Sequence, residues 1–64
     1  MVIINGEEQN AAGLTVAEAI AGGEYNPARI AVEKNGVLVP KREYGDTVLK
    51  DGDVLEIVAF FGGG

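Results

Sequence analysis

The first 23 residues, MVIINGEEQNAAGLTVAEAIAGG (residues 1–23), carry the reading on which the fold turns. The apolar opening runs into Asn5-Gly6, a dipeptide suited to tight hairpins because both positions tolerate positive φ. This predicts a strand over residues 1–5 and a short, poorly patterned second strand near Glu7–Asn10, with NAAG as a loop. Thr15 followed three residues later by Glu18 forms a capping box, TVAE, that starts a helix. Val16, Ala19 and Ile20 then fall on one helical stripe, and Gly22-Gly23 stops it after about two turns. Strand, strand, helix is the resulting order.

Working outward, EYNP (24–27) reads as a loop, and RIAVEK (29–34) alternates Ile30 and Val32 against Arg29 and Glu33, which is strand periodicity. Asn35-Gly36 repeats the hairpin signal before VLV (37–39), and Pro40 ends that strand because it has no N–H to donate. KREY (41–44) reads as one helical turn, and DTVLKDGD (46–53) as a brief extended piece around Val48 with a turn at Asp51-Gly52. The final run, VLEIVAF (54–60), alternates Leu55, Ile57 and Ala59 against Val54, Glu56, Val58 and Phe60. The order β-β-α-β-β-β, with one main short helix, predicts an α+β domain. We read it as a ubiquitin-like β-grasp, a small mixed sheet with the first and last strands side by side at its centre. The expected domain covers residues 1–60, and residues 61–64 form a flexible glycine tail.

Composition narrows the function. A single domain of 64 residues without cysteine has neither disulfides nor Cys/His metal sites to staple it, so its apolar residues must hold it together. Ten carboxylates against five basic residues give a net charge of −5, which disfavours nucleic acid and anionic membranes as partners. A protein partner with a basic surface fits better. No apolar run reaches the length of a membrane span, and MVIIN lacks the basic start of a signal peptide, so a cytoplasmic location is expected. The chain also contains no Ser, Cys or His, leaving two Thr, two Tyr, three Lys and the carboxylates as side-chain nucleophiles. An autonomous enzyme could still be built from this inventory, for instance with paired carboxylates, but it is an unpromising start.

The local motifs are mostly structural. DGD (51–53) has too few ligands for a calcium loop and reads as turn chemistry, so no metal site is expected. AGG (21–23) follows a helix and precedes none, so it stops the helix and does not cradle phosphate. Lys41-Arg42 and Glu7-Glu8 read as solvated pairs. The last strand says more. With Leu55 and Ile57 facing the core, Val58 and Phe60 face solvent beside Glu56, an apolar strip suited to docking a partner.

That strip leads into AFFGGG (59–64). Three glycines are either a frayed or cloning-derived terminus, or a stem whose thinness is used. A stem without Cβ atoms can thread a narrow channel and place its terminal carboxylate at the α-phosphate of a nucleotide.

Taken together, MVIINGE, TVAEAI, RIAVEKNG, VPKREY and DGDVLEIVAFFGGG resemble the ThiS family of thiamine-biosynthesis sulfur carriers, in order and over essentially the whole chain. The resemblance implies a β-grasp fold and no bound cofactor. It implies a C-terminal glycine that a ThiF-like enzyme adenylates with ATP, and a conversion of that acyl-adenylate to a thiocarboxylate with sulfur from a donor protein. Thiazole synthase, a ThiG-like enzyme, is then the recipient. Carried over residue by residue, Gly64 bears the sulfur and Gly63 completes the diglycine. Gly62 lengthens the stem, and the chain lacks the arginine that precedes the diglycine in ubiquitin, carrying Phe60 and Phe61 before its glycines. Two other readings stay open. One is a carrier for molybdopterin, cysteine or tRNA thiolation; the other is a β-grasp interaction module whose glycines are inert.

Overall fold

The computed structural model describes residues 1–60. The expected tail of residues 61–64, with Phe61, Gly62, Gly63 and Gly64, lies outside the described residues. Five strands form one mixed sheet: β1 (Val2–Ile4), β2 (Glu7–Gln9), β3 (Ile30–Lys34), β4 (Val37–Val39) and β5 (Val54–Ala59). Their order is β2-β1-β5-β3-β4, so β5 occupies the centre with β1 beside it. β1 and β5 run parallel, and every other neighbouring pair is antiparallel. With helix α1 (Val16–Ala21) crossing one face, this is the expected ubiquitin-like β-grasp.

Both Asn-Gly pairs make the anticipated turns. Asn5 and Gly6 have φ of 50° and 84°, and Asn35 and Gly36 have 53° and 82°, the doubly positive geometry whose twist matches two antiparallel strands. The capping box also forms. Thr15 Oγ1 accepts the Glu18 N–H at 3.1 Å, and Glu18 Oε1 accepts the Thr15 N–H at 2.9 Å. The next two helical donors, Val16 and Ala17 N–H, reach the carbonyls of Thr47 and Tyr44. The chain's own loop therefore fills the helix start. Gly22 closes the helix, while Gly23 serves a different purpose. A Cβ at Gly23 would stand 2.7 Å from the Tyr25 ring, so the missing side chain is what lets that ring pack.

The core lies between α1 and the sheet. Val2, Ile4, Val16, Ile20, Ile30, Val32, Val39, Leu49, Leu55 and Ile57 are buried, closed below by Ala11 and Tyr44. Burial pushes the Tyr44 hydroxyl above its ordinary pKa. Three expectations need correction. Arg29 is not in a strand: Pro27–Arg29 form a 3₁₀ turn in which Asn26 Oδ1 accepts the Ala28 N–H, and β3 begins at Ile30. Pro27 presets the first helical φ of that turn, so part of the expected EYNP loop is ordered. Ala59 has the parity of Leu55 and Ile57 yet is exposed, because it sits at the rim of a small open cleft. Phe60 lies one residue past the end of β5, although its N–H still donates to the Arg29 carbonyl at 2.7 Å.

Candidate functional site

Strand parity places Glu56 and Val58 on the face of β5 away from α1, where both are exposed. Register shows their neighbours. Val58 pairs with Ala31 and Glu56 with Glu33 on β3, and Glu33 pairs in turn with Leu38 on β4. Val54, across from Ile3 of β1, continues the face toward β2, where Glu8 stands opposite Ile3. The outer face thus alternates apolar patches with three carboxylates. Val58 and Leu38 are 56% and 61% exposed, open enough to meet a partner. Glu33 and Glu56 directly oppose each other, a like-charge pairing that is unfavourable in an isolated sheet.

Phe60 occupies a different position from Val58. It lines the small cleft, about 160 Å³, together with Tyr25, Asn26, Arg29 and Ala59. The predicted docking residues are therefore split. Glu56 and Val58 share the outer face, while Phe60, 54% exposed, marks the point where β5 gives way to the tail. Among the described residues, no group of three or more His, Cys, Asp or Glu is placed to hold a metal ion, and no helix is long and apolar enough to cross a membrane.

Two residues that sequence reasoning took only as turn formers hold the ends of β5. At its start, Asn35 Oδ1 accepts the Val54 N–H at 2.9 Å and Asn35 Nδ2 donates to Asp53 Oδ1 at 3.0 Å. Asp53 also accepts the Lys50 N–H at 2.9 Å. These bonds, the Lys50 backbone donor first and the Asn35 amide second, hold its carboxyl below the usual carboxylate range. At the other end, Asn5 Oδ1 accepts the Ile57 N–H at 2.7 Å and Asn5 Nδ2 donates to the Ile57 carbonyl at 3.2 Å. No sequence signal could have found either tie. Asn5 and Ile57 are 52 residues apart, and the dipeptide Asn-Gly already has a sufficient local explanation.

Comparison with known proteins agrees with this geometry. The ThiS family model matches residues 2–64. A thiazole synthase of Paramagnetospirillum magneticum is 45% identical over 64 residues, covering 98% of this chain and 20% of that protein. The chain therefore spans about a fifth of the length of the thiazole synthases it matches. The sulfur carrier protein ThiS of Bacillus subtilis is 36% identical over 50 residues, 78% of this chain and 76% of that one. Among solved structures, the crystal structure of a thiamine biosynthesis protein (ThiS) from Geobacter metallireducens superposes with a TM-score of 0.78 at 30% identity, covering 98% of this chain and 97% of that one.

Proposed function

Because the chain belongs to the ThiS family, we propose that it is a sulfur carrier in thiamine biosynthesis, a co-substrate acted on by partner enzymes in the cytoplasm. The observation that carries this reading is the family match through residue 64, which takes in the glycine tail as well as the β-grasp domain. The central strand of the sheet runs directly into that tail.

The chemistry follows from the terminus. A carboxylate oxygen of Gly64 attacks the α-phosphorus of ATP in a ThiF-like enzyme; the new O–P bond forms as pyrophosphate leaves. The acyl carbon is now electrophilic, because AMP is a far better leaving group than oxide. A persulfide on a donor protein displaces AMP to give an acyl disulfide. Attack of a partner's second thiol on the donor's sulfur then breaks the S–S bond, leaving a thiocarboxylate on Gly64 and a disulfide on the donor side. The electrostatic catalysis belongs to the partner, and this chain supplies a thin stem, Gly62–Gly63, and a surface to dock. Glu56 and Val58, with Leu38 and Val54, form that surface, and Phe60 stands at its border with the tail. A basic side chain from the partner seated between Glu33 and Glu56 would relieve their mutual repulsion. Thiazole synthase is the proposed recipient. In the proteins of that name matched here, a segment like this chain shares one polypeptide with the remainder.

The test is deletion of Gly63 and Gly64. Pyrophosphate release from ATP in the presence of a ThiF-like enzyme is expected to fall to background while the circular dichroism spectrum is unchanged. Undiminished release by the shortened chain would contradict the reading and favour an interaction module.

A further inference from the structure

The tie between Asn5 and Ile57 does more than close a turn. β1 ends at Ile4, and its ladder with β5 pairs only Ile3 with Val54 and Ile4 with Leu55. Asn5 then turns away at φ 50° to make the hairpin, its own N–H still donating to the Leu55 carbonyl at 2.9 Å. From that point β5 would have no partner on the β1 side. The Asn5 amide takes the place of the missing peptide group: its oxygen accepts from Ile57 N–H and its nitrogen donates to Ile57 C=O. Only this orientation of the amide satisfies both bonds. The parallel ladder is thereby continued by a side chain, one step nearer the tail.

The surroundings extend the hold. Asn5 Nδ2 lies 3.5 Å from the Tyr25 hydroxyl, and the Tyr25 ring packs over Gly23 and lines the cleft beside Ala59 and Phe60. On the opposite edge, β3 pairs through Ile30 with Ala59, and Arg29 C=O takes the Phe60 N–H. The end of β5 is thus held by β3 and Arg29 at Ala59 and Phe60, and on the β1 side, two residues earlier, by a single asparagine amide at Ile57.

We infer that Asn5 is a positioning residue for the carrier reaction: its amide fixes the line of β5 at Ile57, between the docking residues Glu56 and Val58 and the exit of the chain from the sheet at Phe60. This rests on the carrier reading. Glu56 and Val58 flank Ile57 but stay paired with Glu33 and Ala31 of β3 without the amide, so its loss should leave recognition nearly intact and misalign delivery. Misplacement of a reacting group by about 1 Å is enough to slow a reaction by orders of magnitude.

Glycine is the informative replacement, since Asn5→Gly keeps the positive φ of the turn and removes only the amide. We expect Asn5→Gly to lower kcat for ATP-dependent pyrophosphate release, with a ThiF-like enzyme and varied carrier, by about tenfold or more at nearly unchanged KM. Asn5→Asp, which keeps the acceptor for Ile57 N–H and loses the donor, should fall between. Asn35→Gly, which removes the matching amide at the far end of β5, should leave kcat near the wild-type value. Equal kcat losses for Asn5→Gly and Asn35→Gly, or none for Asn5→Gly, would overturn the proposal.

A second readout separates this idea from the carrier reading itself. Amide hydrogen exchange on the free chain should quicken at Ile57 and Phe60 in Asn5→Gly, with Leu55 little affected. If the enzyme fails to turn over the wild-type chain, the carrier reading falls. If exchange at Ile57 and Phe60 is unaltered, the positioning role falls whatever the enzyme does.

Discussion

The two ends of β5 are held by the same device and differ in everything around it. At each end an Asn-Gly turn offers its asparagine amide to the backbone of the central strand, Asn35 to Val54 and Asn5 to Ile57. The start is built for strength. There the amide also engages the ionised Asp53, which is buried, accepts the Lys50 N–H and passes its own carbonyl to Ile3 N–H. At the far end the Asn5 amide meets neutral groups, the Ile57 backbone and the Tyr25 hydroxyl, beside an open cleft and an exposed Phe60. Hydrogen bonds to a charged group are worth roughly twice those between neutral ones. One asparagine therefore anchors the fold, while the other aims what leaves it.

The middle of the strand sets the scale against which both ends are measured. Leu55 is fully buried, and Leu55→Ala should cost about 2–5 kcal/mol, much of the total for a domain of this size. Urea unfolding should show both ends lost together; a small, local effect would mean that β5 is not the keystone described here. The ends come next. Asn35→Gly should destabilise by about 1.5–3 kcal/mol, because it strips a bond from a buried carboxylate, and Asn5→Gly by about 0.5–1.5 kcal/mol. If the order in urea midpoints were reversed, the contrast between anchor and guide would be wrong.

Acid should sharpen the same contrast. The Asp53 pKa is lower in the folded chain than its ordinary 3.8, so the folded state binds fewer protons there than the unfolded state does. The stability this contributes is complete above the ordinary value and is lost as pH falls through the folded one. Asp53→Asn should therefore be less stable than the wild type at neutral pH, with the gap closing below about pH 4. A gap constant with pH would show that the charge of Asp53 contributes nothing. The smallest effect on the fold should come from Val58→Ser, within about 0.5 kcal/mol because the side chain is already exposed. Its effect should appear as a raised KM for adenylation with kcat retained, the opposite split from Asn5→Gly.

Much of the fold was legible because its signals are local. Alternation in VLEIVAF placed Leu55 and Ile57 inside and Val58 outside, the capping box set the helix start, and both hairpins followed from Asn-Gly. What escaped depends on residues distant in the chain. Ala59 keeps the parity of a core residue, but its burial is decided by whether another element covers that end of the strand. Gly23 looked like a helix stop, and its role beside Tyr25 appears only when the ring is placed. Asn5 and Asn35 satisfied a turn rule so well that nothing in the sequence asked for a second duty. The outer face was legible as a pattern of exposed valine and glutamate, whereas the opposition of Glu33 and Glu56 required the register.

The most direct test of the carrier function is the intact mass of the chain after incubation with ATP, a ThiF-like enzyme and a sulfur donor. We predict the mass change of one sulfur replacing one oxygen, localised by fragmentation to Gly64 and absent when ATP is withheld. A terminus that stays a plain carboxylate, with no AMP adduct and no pyrophosphate released by enzymes active on other ThiS chains, would contradict it.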